Sequence, residues 1–94
     1  MLDEGKKFDV GKNRLDLLPW SALEQVGWVL THGAAKYGAF NWERVENPQE
    51  RYFAATLRHL SAWKRGEIWD EETKLNHLAH AACCLLFLLE KEGA

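Results

Sequence analysis

No stretch of this 94-residue chain is apolar for long enough to span a bilayer. The longest nearly apolar run, Leu78 to Leu89, covers twelve residues, whereas a membrane-spanning helix needs ~20. A basic segment followed by an apolar one is also missing from the start of the chain, so no secretory leader is expected and the sequence reads as cytoplasmic. Cysteine is scarce. Cys83 and Cys84 are adjacent, point about 100° apart on a helix, and cannot form a C-x-x-C redox or zinc pair; they are expected to be reduced core thiols. Charge of one sign is not in excess either: the formal net charge is -2. Duplex nucleic acid, which calls for a basic stripe, is therefore not an expected partner, and neither is a membrane. The G-x-x-x-x-G-K-[ST] phosphate loop, the G-x-S-x-G elbow and any Cys/His nucleophile arrangement are absent, which argues against a P-loop enzyme or a covalent hydrolase.

What is present is apolar and aromatic. Hydrophobic residues make up 47 % of the chain, five of them tryptophans. A single domain over residues 1–94 is expected, and a domain this small buries only ~60 to 65 % of its unfolded surface. Further burial is expected from a second subunit, as a homodimer or larger homo-oligomer. Residues 1–18 mix charge, glycine and single apolar residues with no helical or strand period, which predicts an extended N-terminal arm pinned to the body by its apolar residues. Helix one is predicted from Pro19 to about Gly33, with Leu23, Val26, Leu30 and Trp20 on one stripe and Trp28 nearby. Gly27 inside it implies close approach of a large side chain or another backbone. Helix two is predicted from Asn47 as N-cap and Pro48 as first residue to about Gly66, with Tyr52, Thr56, His59 and Trp63 on one face. Helix three starts after Asn76, runs apolar on nearly all sides and frays at Lys91 to Gly93. No strand pattern is visible, so the expected class is all-α: three main helices with an N-terminal arm.

The densest chemistry lies between Arg58 and His80. His77 and His80 are three apart on a helix and leave the same face about one turn apart. His59 ends the preceding helix, and Glu67 and Asp70 lie in the connection that folds one helix onto the other. Imidazole suits transition metals and carboxylate suits Mg2+ and Mn2+, so the cluster fits a divalent cation. Two readings stand at this level, since helix-end histidines also cap carbonyls and Glu67, Asp70, Glu71 and Glu72 also suit a solvated acidic turn. A second group lies in GAAKYGAFNWERVENP. Tyr37 and Trp42 suit either base stacking or packing beneath a loop, and the Asn41 amide offers both donor and acceptor to a base edge. Lys36, Arg58, Lys12 and Arg14 are candidates for phosphate, Arg58 most strongly because it adjoins His59.

Three ordered blocks, KFDVGKNRLDLLP, LTHGAAKYGAFNWE and RHLSAWKRGEIWDEETKLNHLAHA, resemble the phage and prophage family described as dATP/dGTP diphosphohydrolase, N-terminal. The resemblance spans Gly5 to Leu89 and extends in helical character to the all-α MazG-type pyrophosphohydrolases, which implies a MazG-like bundle completed by oligomerisation. It implies metal-dependent cleavage of purine deoxynucleoside triphosphates, dATP or dGTP, to monophosphate and pyrophosphate, in the host cytoplasm if the chain is phage-encoded. The family's blocks fall on Lys36, Tyr37, Gly38, Asn41 and Trp42, on Arg58 and His59, on Gly66, Glu67 and Asp70, and on His77 and His80. In the turn before the first of these two histidines the family carries a glycine, where this chain has Thr73, Lys74 and Leu75.

The expected ligands of one or two ions (Mg2+, Mn2+ or another transition metal) are then His59, Glu67, Asp70, His77 and His80. Glu67 or Glu71 accepts the proton of the attacking water, and Arg58 acts in catalysis by holding outer phosphates with Lys36 and, from the arm, Lys12. Tyr37, Asn41 and Trp42 hold the base. The rival expectation is a non-catalytic phage helper or nucleotide-binding protein acting through its apolar third helix.

Overall fold

The computed structural model describes residues 4–92. Three helices dominate: α1 (Trp20–Tyr37), α2 (Pro48–Lys64) and α3 (His77–Lys91). Short 3-10 turns occupy Leu15–Leu17 and Asn41–Arg44, and among the described residues no strand forms beyond one antiparallel bridge between Trp69 and Asn76. The all-α class is as expected.

Helix α1 follows Pro19 directly, but it runs a full turn past Gly33. Two alanines follow that glycine, and the ~1 kcal/mol a helical glycine costs does not end a helix whose next residues favour it. The helix stops at Gly38, whose φ of +94° breaks the repeat and whose N–H donates to the Ala34 carbonyl at 2.8 Å. Pro48 opens α2 as expected, yet Asn47 is not a side-chain cap. Its backbone is left-handed (φ 50°, ψ 53°), which asparagine tolerates, whereas a capping side chain needs an extended backbone. Asn76 does have that extended backbone, and its Oδ1 accepts from the Leu78 N–H at 2.8 Å, capping α3. The fraying expected at Gly93 lies outside the described residues.

Helix α3 is central, with α2 folded back along it and α1 packed on it as well. The core is narrow: Val26 meets Ala79 and Cys83, with Val29, Ala82 and Phe87 around them. Both cysteines are free and buried, and burial followed by the Cys84 neighbour pushes the Cys83 thiol up to about 12. Among the described residues no large side chain is fully enclosed. The chain exposes 7922 Å², where a compact monomer of its mass exposes about 5500 Å². Part of the excess is the arm, which the apolar residues do not pin: Phe8 is 83 % and Val10 101 % exposed. Of the predicted α1 stripe only Val26 is buried, and Trp20 and Trp28 face solvent. On α3, Leu78 and Leu85 are uncovered too.

The connection between α2 and α3 is built from backbone bonds. Gly66, at φ +98°, closes α2 with its N–H on the Trp63 carbonyl, and the Glu67 N–H reaches the Ala62 carbonyl at 3.0 Å. This pair of bonds is the Schellman closure, which favours glycine. The chain then pairs with itself: Asp70 N–H on Leu75 O and His77 N–H on Ile68 O, each at 2.8 Å. Lys74 sits in this turn at φ +62°, in the left-handed region.

Two substitutions of opposite kind follow. At Lys74 the left-handed backbone costs a non-glycine residue roughly 1–2 kcal/mol, more than the roughly 0.5–1 kcal/mol that glycine's freedom in the unfolded chain costs. Lys74→Gly is therefore expected to raise stability by about 0.5–1 kcal/mol. At Gly27 the expectation of a close neighbour is overturned, because an added Cβ would meet nothing within 4 Å. Gly27→Ala is expected to stabilise by about 0.5–1 kcal/mol as well. Thermal melts followed by circular dichroism check both, at about 4–8 °C per kcal/mol for a domain of this size; a fall in either midpoint contradicts the local geometry described.

Candidate metal centre and adjoining cleft

His59 lies in the last turns of α2, His77 is the first residue of α3, and Asp70 lies in the turn between them. The self-pairing of residues 68–77 turns the three toward one point. One ligand atom from each falls within 4.8 Å of the others, comparable to the roughly 4 Å that separates two ligands bonded at about 2.1 Å across one ion. His59 Nδ1 and His77 Nδ1 are 2.8 Å apart, so with no ion between them one ring nitrogen donates and the other accepts. Asp70 Oδ1 accepts from the Glu72 and Thr73 N–H groups, both at 2.9 Å, and from the Thr73 hydroxyl at 3.3 Å. Among the described residues its Oδ2 carries no protein hydrogen bond. Two imidazole nitrogens and one carboxylate oxygen suit Mn2+ or another transition ion better than Mg2+, which prefers an all-oxygen shell.

The protonation states agree with ligation. Burial first, then the rings of His80 and His77, push the His59 imidazole down to about 4, so it is neutral and its lone pair available. Burial also lowers His80, against the opposing pull of Asp70. Burial works against ionisation of Asp70, but the Thr73 N–H, the His80 ring and the Glu72 N–H outweigh it and hold the carboxyl below its usual range.

His80 stands next to this group. Its ring stacks on His59 with centroids 4.6 Å apart and planes 11° apart, and its Nε2 lies 2.7 Å from the Thr73 hydroxyl. Glu67, expected as a ligand, is exposed and outside the converging donors: the Schellman closure commits its backbone to the end of α2.

A cleft of 1250 Å³ opens between α1 and α2, floored by α3. It meets the imidazole cluster at Arg58 and His80 and is rimmed at the loop after α1 by Tyr37, Phe40 and Asn41. Trp42 borders it but lies flat on Phe87, centroids 4.7 Å apart and planes 10° apart, with the Tyr52 hydroxyl donating to its carbonyl. That indole is in large part a packing residue of the α3 floor. Lys36 is outside the lining and is held by Glu72. Lys12 remains on the exposed arm, away from the cleft, where its N–H closes a turn onto Asp9 O, and the Arg14 fork is occupied by Asp16.

The sequence model of the family described as dATP/dGTP diphosphohydrolase, N-terminal, matches residues 3–94. The chain belongs to this family. A relative from Salmonella phage PMBT28 named dATP/dGTP diphosphohydrolase is 40 % identical over 84 residues. The match covers 89 % of this chain but only 28 % of that relative, so the chain spans less than a third of the relative's length. No solved structure shows a significant match. No helix among the described residues is long and apolar enough to cross a membrane.

For this family member one residue of the cleft, Phe40, is not marked by spacing. Phe40 lines the cleft, is 66 % exposed and holds a left-handed backbone at φ 61°, an arrangement that local packing does not reward; an aromatic between Gly38 and Asn41 was its only signal.

The lowered His59 sets a sign for acid stability. Its folded value, about 4, is below the ~6.5 of the unfolded chain, so the unfolded state binds the extra proton. The contribution is fully present above pH ~6.5 and is lost as pH falls towards about 4. In EDTA the thermal midpoint is expected to drop across this window, and His59→Asn to flatten the drop. An unchanged slope in that variant would contradict the assignment.

Proposed function

We propose that this chain carries the metal-dependent hydrolysis of purine deoxynucleoside triphosphates, dATP or dGTP, to the monophosphate and pyrophosphate, in the cytoplasm of a phage-infected host. The observation that carries the reading is the convergence of His59, Asp70 and His77 at the end of a cleft large enough for a nucleotide. The name of the phage relative supports the substrate class.

His59, Asp70 and His77 hold the cation, and His80 backs His59 by stacking while it borders the cleft. Bound there, a divalent ion supplies charge neutralisation for triphosphate oxygens and acidifies water. The Arg58 guanidinium, at the same end, offers a planar fork to phosphate oxygens. The base occupies the other end, with Tyr37 and Phe40 as faces to stack on and the Asn41 amide as a two-way hydrogen-bonding edge. Water attacks the α-phosphorus and pyrophosphate leaves. Glu67, a carboxylate of the same connection outside the donor group, takes the proton from that water. Lys12 would enter only from another copy or after rearrangement of the arm.

The uncovered apolar surface supports a homo-oligomer. The excess over a compact monomer is larger than the ~800 Å² that each partner buries in a standard interface. Leu78 and Leu85, two turns apart on α3 and outside the cleft lining, mark the face. Light scattering is expected to give a dimer mass or larger, and Leu85→Asp a monomer that keeps its helical signal; a monomeric wild type would leave the face to a different protein, as in the helper reading.

The deciding experiment incubates the chain with a panel of deoxynucleoside triphosphates and Mn2+ or Mg2+ and separates the products by chromatography, with EDTA as control. Monophosphate and pyrophosphate are expected from purine substrates, with Mn2+ the better ion and no product in EDTA. His77→Ala and Asp70→Ala are each expected to lose more than the roughly 10- to 100-fold that an outer partner of a metal ligand is worth, with circular dichroism unchanged. Turnover that survives in both variants rules out this centre.

A further inference from the structure

Lys36 and Glu72 are 36 residues apart in sequence, and their bond is the one side-chain hydrogen bond among the described residues that joins α1 to the connection between α2 and α3. It leads directly to the candidate metal centre. The Lys36 ammonium donates to Glu72 Oε1, the Glu72 N–H donates to Asp70 Oδ1 at 2.9 Å, and the neighbouring Thr73 N–H donates to the same oxygen. At the other end the same ammonium lies 5.0 Å over the Tyr37 ring, a wall of the cleft. Asp70 therefore has its oxygen oriented by a turn whose outer edge is tied to α1.

Magnitude decides what this tie can do. The side chains of Lys36 and Glu72 are 45 % and 59 % exposed, and ion pairs that exposed add little to global stability. Their effect is geometric. The turn they hold has few other anchors on α1, and a metal ligand must be placed to a fraction of an ångström to be useful. Lys36 is also unavailable for the phosphate contact expected of it, because its ammonium is committed and it does not line the cleft.

We propose that the Lys36–Glu72 pair is a positioning strap that holds the Asp70 turn against α1, so that Asp70 meets His59 and His77. Lys36 and Glu72 are positioning residues on this account and touch neither ion nor nucleotide. The inference rests on the metal-centre reading above.

Four chains test it: wild type, Lys36→Met, Glu72→Ala and the exchanged pair Lys36→Glu with Glu72→Lys. Three quantities are read: Mn2+ affinity by calorimetry, amide hydrogen exchange at Glu72 and Thr73, and nucleotide kcat and KM. A strap predicts that each single variant weakens Mn2+ about 10-fold, at the low end of outer-partner effects. It also predicts faster exchange at the two amides and a lower kcat with little change in KM. The exchanged pair is expected to recover most of all three. A lysine that grips phosphate gives the opposite pattern, with KM raised in Lys36→Met alone, Mn2+ affinity unchanged and no recovery on exchange; that result overturns the strap. Single variants with wild-type Mn2+ affinity and amide exchange overturn it too, and leave the metal centre standing. A wild type that binds no Mn2+ removes the centre and the strap together.

Discussion

The bond from the His77 N–H to the Ile68 carbonyl sets where α3 begins relative to the end of α2. Shift that register by one residue and His77 turns about 100° around its helix, away from His59, while Asp70 leaves its partner Leu75. The Schellman closure at Gly66 and the extended Asn76 cap fix the two ends of the same connection. A local backbone pattern therefore decides whether three side chains from three different segments meet. The cluster of His59, Asp70 and His77 is as rigid as this turn and no more so.

A second constraint is the shortage of core. The residues that meet at the centre of the bundle are small, namely Val26, Ala79 and Cys83, so the helices enclose little. Large side chains, tryptophans among them, are left at the surface or along the cleft. Helices α1 and α2 each pack on α3 with the cleft between them, and apolar faces of one copy stay uncovered.

Much of the fold was legible because periodicity is a local property. The three helices, the absence of strands, the cap at Asn76 and the reduced buried thiols follow from neighbours in the chain. Departures were also local in cause. Gly33 failed to end α1 because two alanines follow it, and Asn47 failed to cap α2 because its backbone is left-handed. The turn before His77 holds no glycine, yet Lys74 takes up the left-handed backbone that glycine adopts most easily. Of the candidate site, His59, Asp70 and His77 converge, His80 flanks them, and Glu67 and Lys12 lie outside. Spacing could not separate these cases, since Glu67 and Asp70 belong to one connection and differ only in which residue the self-pairing turns inward.

By itself the sequence determined the helices, the family and the types of donor available, because each depends on short-range pattern or on ordered blocks of residues. Only the tertiary structure decided which donors share a point, that Lys36 answers Glu72 and not the cleft, and that Phe40 lines the cleft. Those are contacts across 18 to 36 residues in the case of the two hydrogen-bonded pairs, and no local rule carries that far. They are settled when α2 folds back on α3 and α1 lies across the same helix, where the backbone bonds of residues 62–78 hold the turn in one register.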